Sequence, residues 1–177
     1  MELFANDTQT IEANDWVVFT AVLSSGNQSI LWRAGSGVIT LRGLGPQLRS
    51  RFRVSYHANV ALATGATVAP IELAIRISGE TLASSRAVST PAAVGEFNSI
   101  SATTLVDVPA GCCTQISLAN IGAPAIVTEN VDLIVERVAW YETIKINRAM
   151  FGVCCLESIG GFKKDRHKRT WWSYWYD

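Results

Sequence analysis

Between Arg49 and Gly65 the sequence RSRFRVSYHANVALATG alternates with a period of two. Phe52, Val54, Tyr56, Ala58, Val60 and Leu62 fall on one side, and Arg51, Arg53, Ser55, His57 and Asn59 on the other. A pleated strand sends successive side chains to opposite faces, whereas a helix would scatter this set around its axis. The segment therefore reads as a long, half-buried β-strand. The same period places Leu73, Ile75 and Ile77 opposite Ala74 and Arg76, and Val131, Leu133 and Val135 opposite Asp132 and Glu136. WVVFTAVL (16–23) is apolar on both faces and rich in β-branched residues, as expected of a strand covered on both sides by a second layer or a partner.

Further strand candidates are SILWR (29–33), GVITLRG (37–43), TLASSRAV (81–88), FNSISATTLVDV (97–108) and TQISLANI (114–121). All five prolines, at 46, 70, 91, 109 and 124, stand in small or polar stretches such as GLGPQ, STPAA and DVPAG, where proline marks a turn. Short strands at this spacing, with almost no helical period before residue 140, indicate an all-β antiparallel sandwich of two sheets. A jelly roll is the preferred form, since closing strands into two sheets leaves few exposed edges and suits so little charge. An immunoglobulin-like sandwich is the rival, and its Cys…Trp…Cys spacing does not occur.

A chain of 177 residues fits one domain, or one domain with an appendage. With 49% hydrophobic and 17% charged residues and a mean hydropathy of +0.21, it has ample material for a core, and the apolar surplus suggests association. Fifteen basic residues balance fifteen acidic ones, which argues against a nucleic-acid coat or polyanion binder. That neutrality conceals two unlike parts. Residues 1–139 carry eight arginines and no lysine against eleven acids, a net of −3; residues 140–177 carry four lysines and three arginines against four acids, a net of +3.

The second part holds a short helical pattern, ETIKINRAMFGVCCLE. After a Gly-Gly break come a basic run, KKDRHKR (163–169), and the aromatic cluster WWSYWYD. Trp171, Trp172, Tyr174, Trp175 and Tyr176 read as a docking tail for the body, a neighbouring subunit or another protein. Stacking on single-stranded bases, a membrane interface and an extension without a role remain open beside it. The expected organisation is an N-terminal attachment segment (1–14), a jelly-roll domain (15–141) and a basic, aromatic extension (142–177).

The N-terminus has no basic n-region and no signal-length apolar run, and no stretch approaches the ~20 apolar residues of a membrane span. Cys112-Cys113 and Cys154-Cys155 are adjacent pairs, poorly suited to an ordinary disulfide framework, and read as reduced, packed thiols.

Signs of chemistry are thin. The two histidines, His57 and His167, lie far apart in sequence, so no clustered metal site is expected. No GxSxG, Walker or GxGxxG spacing occurs, and the acids are scattered, so no catalytic residue and no cofactor is expected. A nucleophile pair of Cys112 or Cys113 with His57 would depend on proximity in the fold. The concentrated polar feature is the stripe Arg51, Arg53 and His57, either a solvated face or a subunit contact or anion site. Arg76 and Arg137 are expected to pair across the sheet with Glu72 or Glu136.

By GSGVITLRG, RSRFRVSYHANVALATG, PIELAIRISGE, FNSISATTLVDVPAGCCTQISLANIG and NVDLIVERVA, the chain resembles the trimeric jelly rolls of the tumour-necrosis-factor and complement globular-head superfamily. The likeness is to their small bacterial and phage version, the kind that ends exosporium collagen-like glycoproteins, and it covers about residues 10–139. It implies a homotrimer packed along a threefold axis. The function it implies is display on a phage particle as a non-enzymatic structural virion protein, or recognition of a surface glycan or protein receptor through loops such as 64–70 and 89–96. Other virion proteins, or that receptor, are the implied partners. The expected location is the virion surface or another extracellular site, after synthesis in the bacterial cytoplasm. Nothing in the resemblance transfers a functional residue, and no collagen-like repeat precedes the domain in this sequence.

Overall fold

The computed structural model describes residues 1–45 and 48–138. Among these residues are twelve strands: β1 (Glu2–Ala5), β2 (Gln9–Ile11), β3 (Ala21–Ser24), β4 (Ile30–Trp32), β5 (Ile39–Arg42), β6 (Arg49–Leu62), β7 (Ile71–Ile77), β8 (Glu80–Thr81), β9 (Ala87–Ser89), β10 (Asn98–Pro109), β11 (Cys113–Asn120) and β12 (Ile126–Val138). Two six-stranded sheets face each other. The first runs β10-β6-β12-β1-β3 with β2 also on β12, and the second runs β4-β5-β11-β7-β8 with β9 also on β7. Every pairing is antiparallel, giving the expected jelly-roll sandwich.

β6 forms where the alternation predicts it. Phe52, Val54, Tyr56, Ala58, Val60 and Leu62 are buried, while Arg51, Arg53, Ser55, His57 and Asn59 lie on the outward face. The buried row meets Ile39 and Leu41 of β5, Leu73 and Ile75 of β7 and Leu118 of β11 in one apolar core. β12 repeats the pattern with a change of phase. Ile126 and Thr128 face inward, then a register shift between Glu129 and Asp132 hands the inward positions to Val131, Leu133 and Val135. Asn130 absorbs the extra residue in a left-handed conformation, φ 47°, which asparagine tolerates better than most side chains.

Three sequence expectations are corrected. The stretch Trp16–Leu23 is not one covered strand. Trp16 bridges Ala119, Val17 N–H donates to Leu118 O, and only Ala21–Ser24 joins the first sheet, where Val22 and Leu23 stay exposed. A side chain causes the break: the Gln9 amide donates to Val18 O at 2.7 Å and accepts from Val18 N–H at 3.1 Å, standing where a neighbouring strand would stand.

TLASSRAV is likewise broken, by a 3-10 turn at Ala83–Ser85 between β8 and β9. β8 pairs with Arg76 and Ile77 and β9 with Ile71 to Leu73, which leaves Ile75 to the turn. Leu82 N–H donates to Ile75 O, and Ile75 N–H donates to the buried Ser85 Oγ at 2.8 Å. Finally, residues 2–5 and 9–11, read as part of an attachment segment, are strands β1 and β2 on β12. Each has at most four residues, too few for a period to register in the sequence.

Two buried polar side chains tie the layers. Asn120, fully buried, donates from Nδ2 to Ile11 O, Glu12 O and Pro124 O and accepts from Gly122 N–H at Oδ1. Tyr56 places its hydroxyl between the carbonyls of Leu73 (3.0 Å) and Ser85 (2.9 Å) on the opposite sheet. Burial holds the Tyr56 phenol well above the ordinary tyrosine range.

Asn120→Ala strands buried carbonyls and is expected to lower unfolding free energy by about 2–3 kcal/mol in urea titration. Tyr56→Phe should cost about 1 kcal/mol near neutrality. Because the folded-state pKa is the higher one, the stability Tyr56 contributes is complete below about pH 10 and is lost as pH rises further. Thermal melts of Tyr56→Phe should accordingly fall less steeply above that pH than those of the parent chain.

Candidate functional site

The outward face of the first sheet gathers the polar stripe. β6 lies between β10 and β12, so each outward residue of β6 has a cross-strand neighbour on either side: Asp107 and Val138 beside Arg51, Leu105 and Glu136 beside Arg53, Thr103 and Ile134 beside Ser55, Ser101 and Asp132 beside His57. β1 extends the rows with Glu2 next to Ile134 and Phe4 next to Asp132.

The two arginines are spent on carboxylates of these neighbours. Arg51 donates from Nε to Asp107 Oδ1 at 2.6 Å and from Nη2 to Oδ2 at 2.7 Å, a planar bidentate pair. The guanidinium's hydrogen bonds, with its charge and that of Arg49 adding, hold the Asp107 carboxyl below its ordinary range against partial burial. Arg53 donates from Nε to Glu136 Oε2 at 3.0 Å and pairs with the same oxygen through Nη2. The anion-site reading of the stripe loses its strongest donors to this arrangement.

His57 Nε2 shares a hydrogen bond with Ser99 Oγ at 2.8 Å, and Thr103 Oγ1 donates to Ser55 Oγ at 3.0 Å. Ser99 on β10, diagonal to His57, and Asp132 on β12, directly opposite it, bring the residue types of a hydrolase triad onto one face. The sequence could not reveal this grouping, because it depends on the pairing of β10 and β12 with β6. The Cys–His pair does not form: Cys112 lies beyond Pro109, whose partner Arg49 is eight residues from His57 along β6, roughly 26 Å at about 3.3 Å per residue.

The remaining ion pairs differ from expectation. Glu72 pairs with Arg86 at 2.6 Å, Arg76 donates to Asn14 O and Oδ1, and Arg137 donates to Leu44 O and Ser50 Oγ. Arg76 and Arg137 reach loop residues Asn14 and Leu44 that the topology brings near their strands, which alternation along a strand does not encode.

A second candidate lies at one end of the sandwich. β9 pairs with the start of β7, and the end of β6 with the start of β10, so the β6–β7 loop (63–70) and the β9–β10 loop (90–97) emerge together. Both are exposed, and they carry the apolar side chains Val68, Val94 and Phe97. At the opposite end the β10–β11 turn presents Cys112 and Cys113 as free thiols, exposed rather than packed as the sequence suggested. Trp171, Trp172, Tyr174, Trp175, Tyr176, His167, Cys154 and Cys155 lie outside the described residues. Among the described residues no helix is long and apolar enough to cross a membrane, and no three His, Cys, Asp or Glu side chains converge on a metal-sized site.

No family model matches the chain, and no curated protein matches it in sequence. Among solved structures it is similar to the globular domain of the zebrafish complement 1qA protein, at 12% identity and a TM-score of 0.57, over 79% of this chain and 97% of that one. The EclA C-terminal domain, a sugar-binding protein, matches at 13% identity over 75% of this chain and 79% of that one, with a TM-score of only 0.35. The fold assignment stands on the first of these. With its strand order and its antiparallel ladders, the chain has a jelly-roll fold like that of the complement 1qA globular domain.

Proposed function

We propose that the protein is a non-enzymatic display module: a homotrimer on the surface of a phage particle, assembled through the outward face of its first sheet. The observation that carries this reading is the make-up of that face. Two of its arginines, Arg51 and Arg53, are already paired with carboxylates of the same chain, so a neighbour can cover these pairs without stranding their charges. Serine and threonine hydroxyls fill its centre, and Leu105 and Val138 remain exposed on it. Lysine is absent throughout the body. Paired arginine, exposed aliphatics and no lysine are the signature of surface that is covered on assembly rather than kept in water. The phage setting rests on the sequence resemblance described above.

The loop end supports a second reading, recognition of a surface glycan or protein receptor. There Val68, Val94 and Phe97 stand exposed on adjacent loops, at a distance from the proposed subunit contact. The two readings are compatible, since a trimer that buries its first sheet leaves those loops free.

Light scattering or native mass spectrometry should give a species three times the 19.2 kDa chain mass. A stable monomer at micromolar concentration would overturn the assembly. Leu105→Arg should weaken association at least tenfold, about 1.4 kcal/mol, while Val88→Arg on the second sheet should leave it unchanged. Glycan-array binding that Phe97→Ala abolishes would establish the receptor reading.

A further inference from the structure

The β10–β11 turn is held more firmly than an ordinary hairpin tip. Cys112 N–H donates to Pro109 O, closing a four-residue turn whose third residue, Gly111, has φ +74°. Three more backbone bonds pin it to the segment before β6: Ala110 N–H to Leu48 O, Gly111 N–H to Gly43 O, and Gly43 N–H to Cys112 O. The approach is close enough that a Cβ on Gly43 would lie 2.0 Å from Pro109 O. On this fixed mount Cys112 and Cys113 are both exposed, and Leu48 beside them is 86% exposed.

We propose that Cys112 and Cys113 form an oxidative coupling site that joins two copies of this chain through their turn ends. Adjacent cysteines across a trans peptide have Cα atoms about 3.8 Å apart, short of the ~4.4 Å that a relaxed disulfide spans at minimum. The pair is therefore a poor partner for itself, and the rigid turn gives it little room to adjust. Each sulfur is directed to an outside partner, and a second turn of the same kind offers two. The exposed Leu48 gives the contact an apolar neighbour to bury.

The oxidant is a low-molecular-weight disulfide such as glutathione disulfide. A cysteine thiolate attacks one of its sulfurs, forming a mixed disulfide and releasing one glutathione thiolate. A deprotonated cysteine of the second copy then attacks the protein sulfur of the mixed disulfide and releases the second glutathione. Two protein thiols are oxidised and one glutathione disulfide is reduced to two thiols, with the cysteine protons passing to the released thiolates.

The coupling is independent of the proposed trimer face, because the turn lies at the end of the sandwich and the face along its side. The test uses the full chain. With Cys154→Ser and Cys155→Ser, incubation with glutathione disulfide, quenching with N-ethylmaleimide and non-reducing electrophoresis should yield a species of twice the chain mass that dithiothreitol reverses. Peptide mapping should place the bridge at Cys112 or Cys113. Leu48→Asp should slow coupling roughly fivefold without changing the reaction of the thiols with a small aromatic disulfide. Cys112→Ser with Cys113→Ser should remove that bridge and leave the reduced assembly state intact. Single chains carrying only glutathione adducts, or a bridge closed between Cys112 and Cys113 within one chain, would overturn the proposal.

Discussion

Strand β6 is hydrogen-bonded along both edges, to β10 over its outer two-thirds and more and to β12 on the other side, and this double pairing is the constraint on which the rest of the sandwich depends. Its pleat settles which residues enter the core and which reach the outward face. A slip of one residue would carry Phe52, Val54 and Tyr56 into water and bring arginines inside. The ion pairs Arg51–Asp107 and Arg53–Glu136 add to that specification. Each sits on the outward face and joins β6 to a different neighbour, so a slipped register would break both. Exposed pairs of this kind contribute little stability, and their value lies in fixing alignment.

What the sequence disclosed of this arrangement was its periodicity. β6, β7, β10, β11 and β12 are long enough for alternation to stand out, and the jelly roll follows from their number and from the turns between them. The features it hid are those in which a side chain does the work of a strand. Gln9 pairs with Val18, Ser85 serves Ile75 in the middle of β7, and Asn120 gathers three carbonyls from the end of β2, the residue after it and the loop before β12. In the sequence each is an unremarked polar residue. The expected partners of Arg76 and Arg137 failed for a related reason, since their actual acceptors, Asn14, Leu44 and Ser50, lie far away in the chain.

The candidate site was legible to a similar degree. Arg51, Arg53 and His57 were correctly placed on one face, because a single strand's alternation decides that. Whether those cations are free for a ligand could not be read, because their carboxylate partners come from β10 and β12. The same holds for the loops: 64–70 and 89–96 were recognisable as connections, whereas their emergence at one end of the sandwich is a property of the topology. The described residues thus separate their surfaces in space, with a sheet face carrying two internal ion pairs along one side, apolar loops at one end and adjacent thiols at the other.

The pairing of β1 with β12 imposes an order in time as well. Leu3 sits opposite Leu133, and the Met1 nitrogen donates to Val135 O, so β1 finds this neighbour only after β12, far later in the chain, has been made. Until then one edge of β6 and one edge of β1 lack their neighbour, and the nascent chain exposes ladder groups that can recruit other chains. Closure must follow the release of residues 126–138 from the ribosome, and contacts this distant in sequence make it slow. The window between synthesis and closure is therefore where crowding and chaperones would act most strongly on the yield of folded protein.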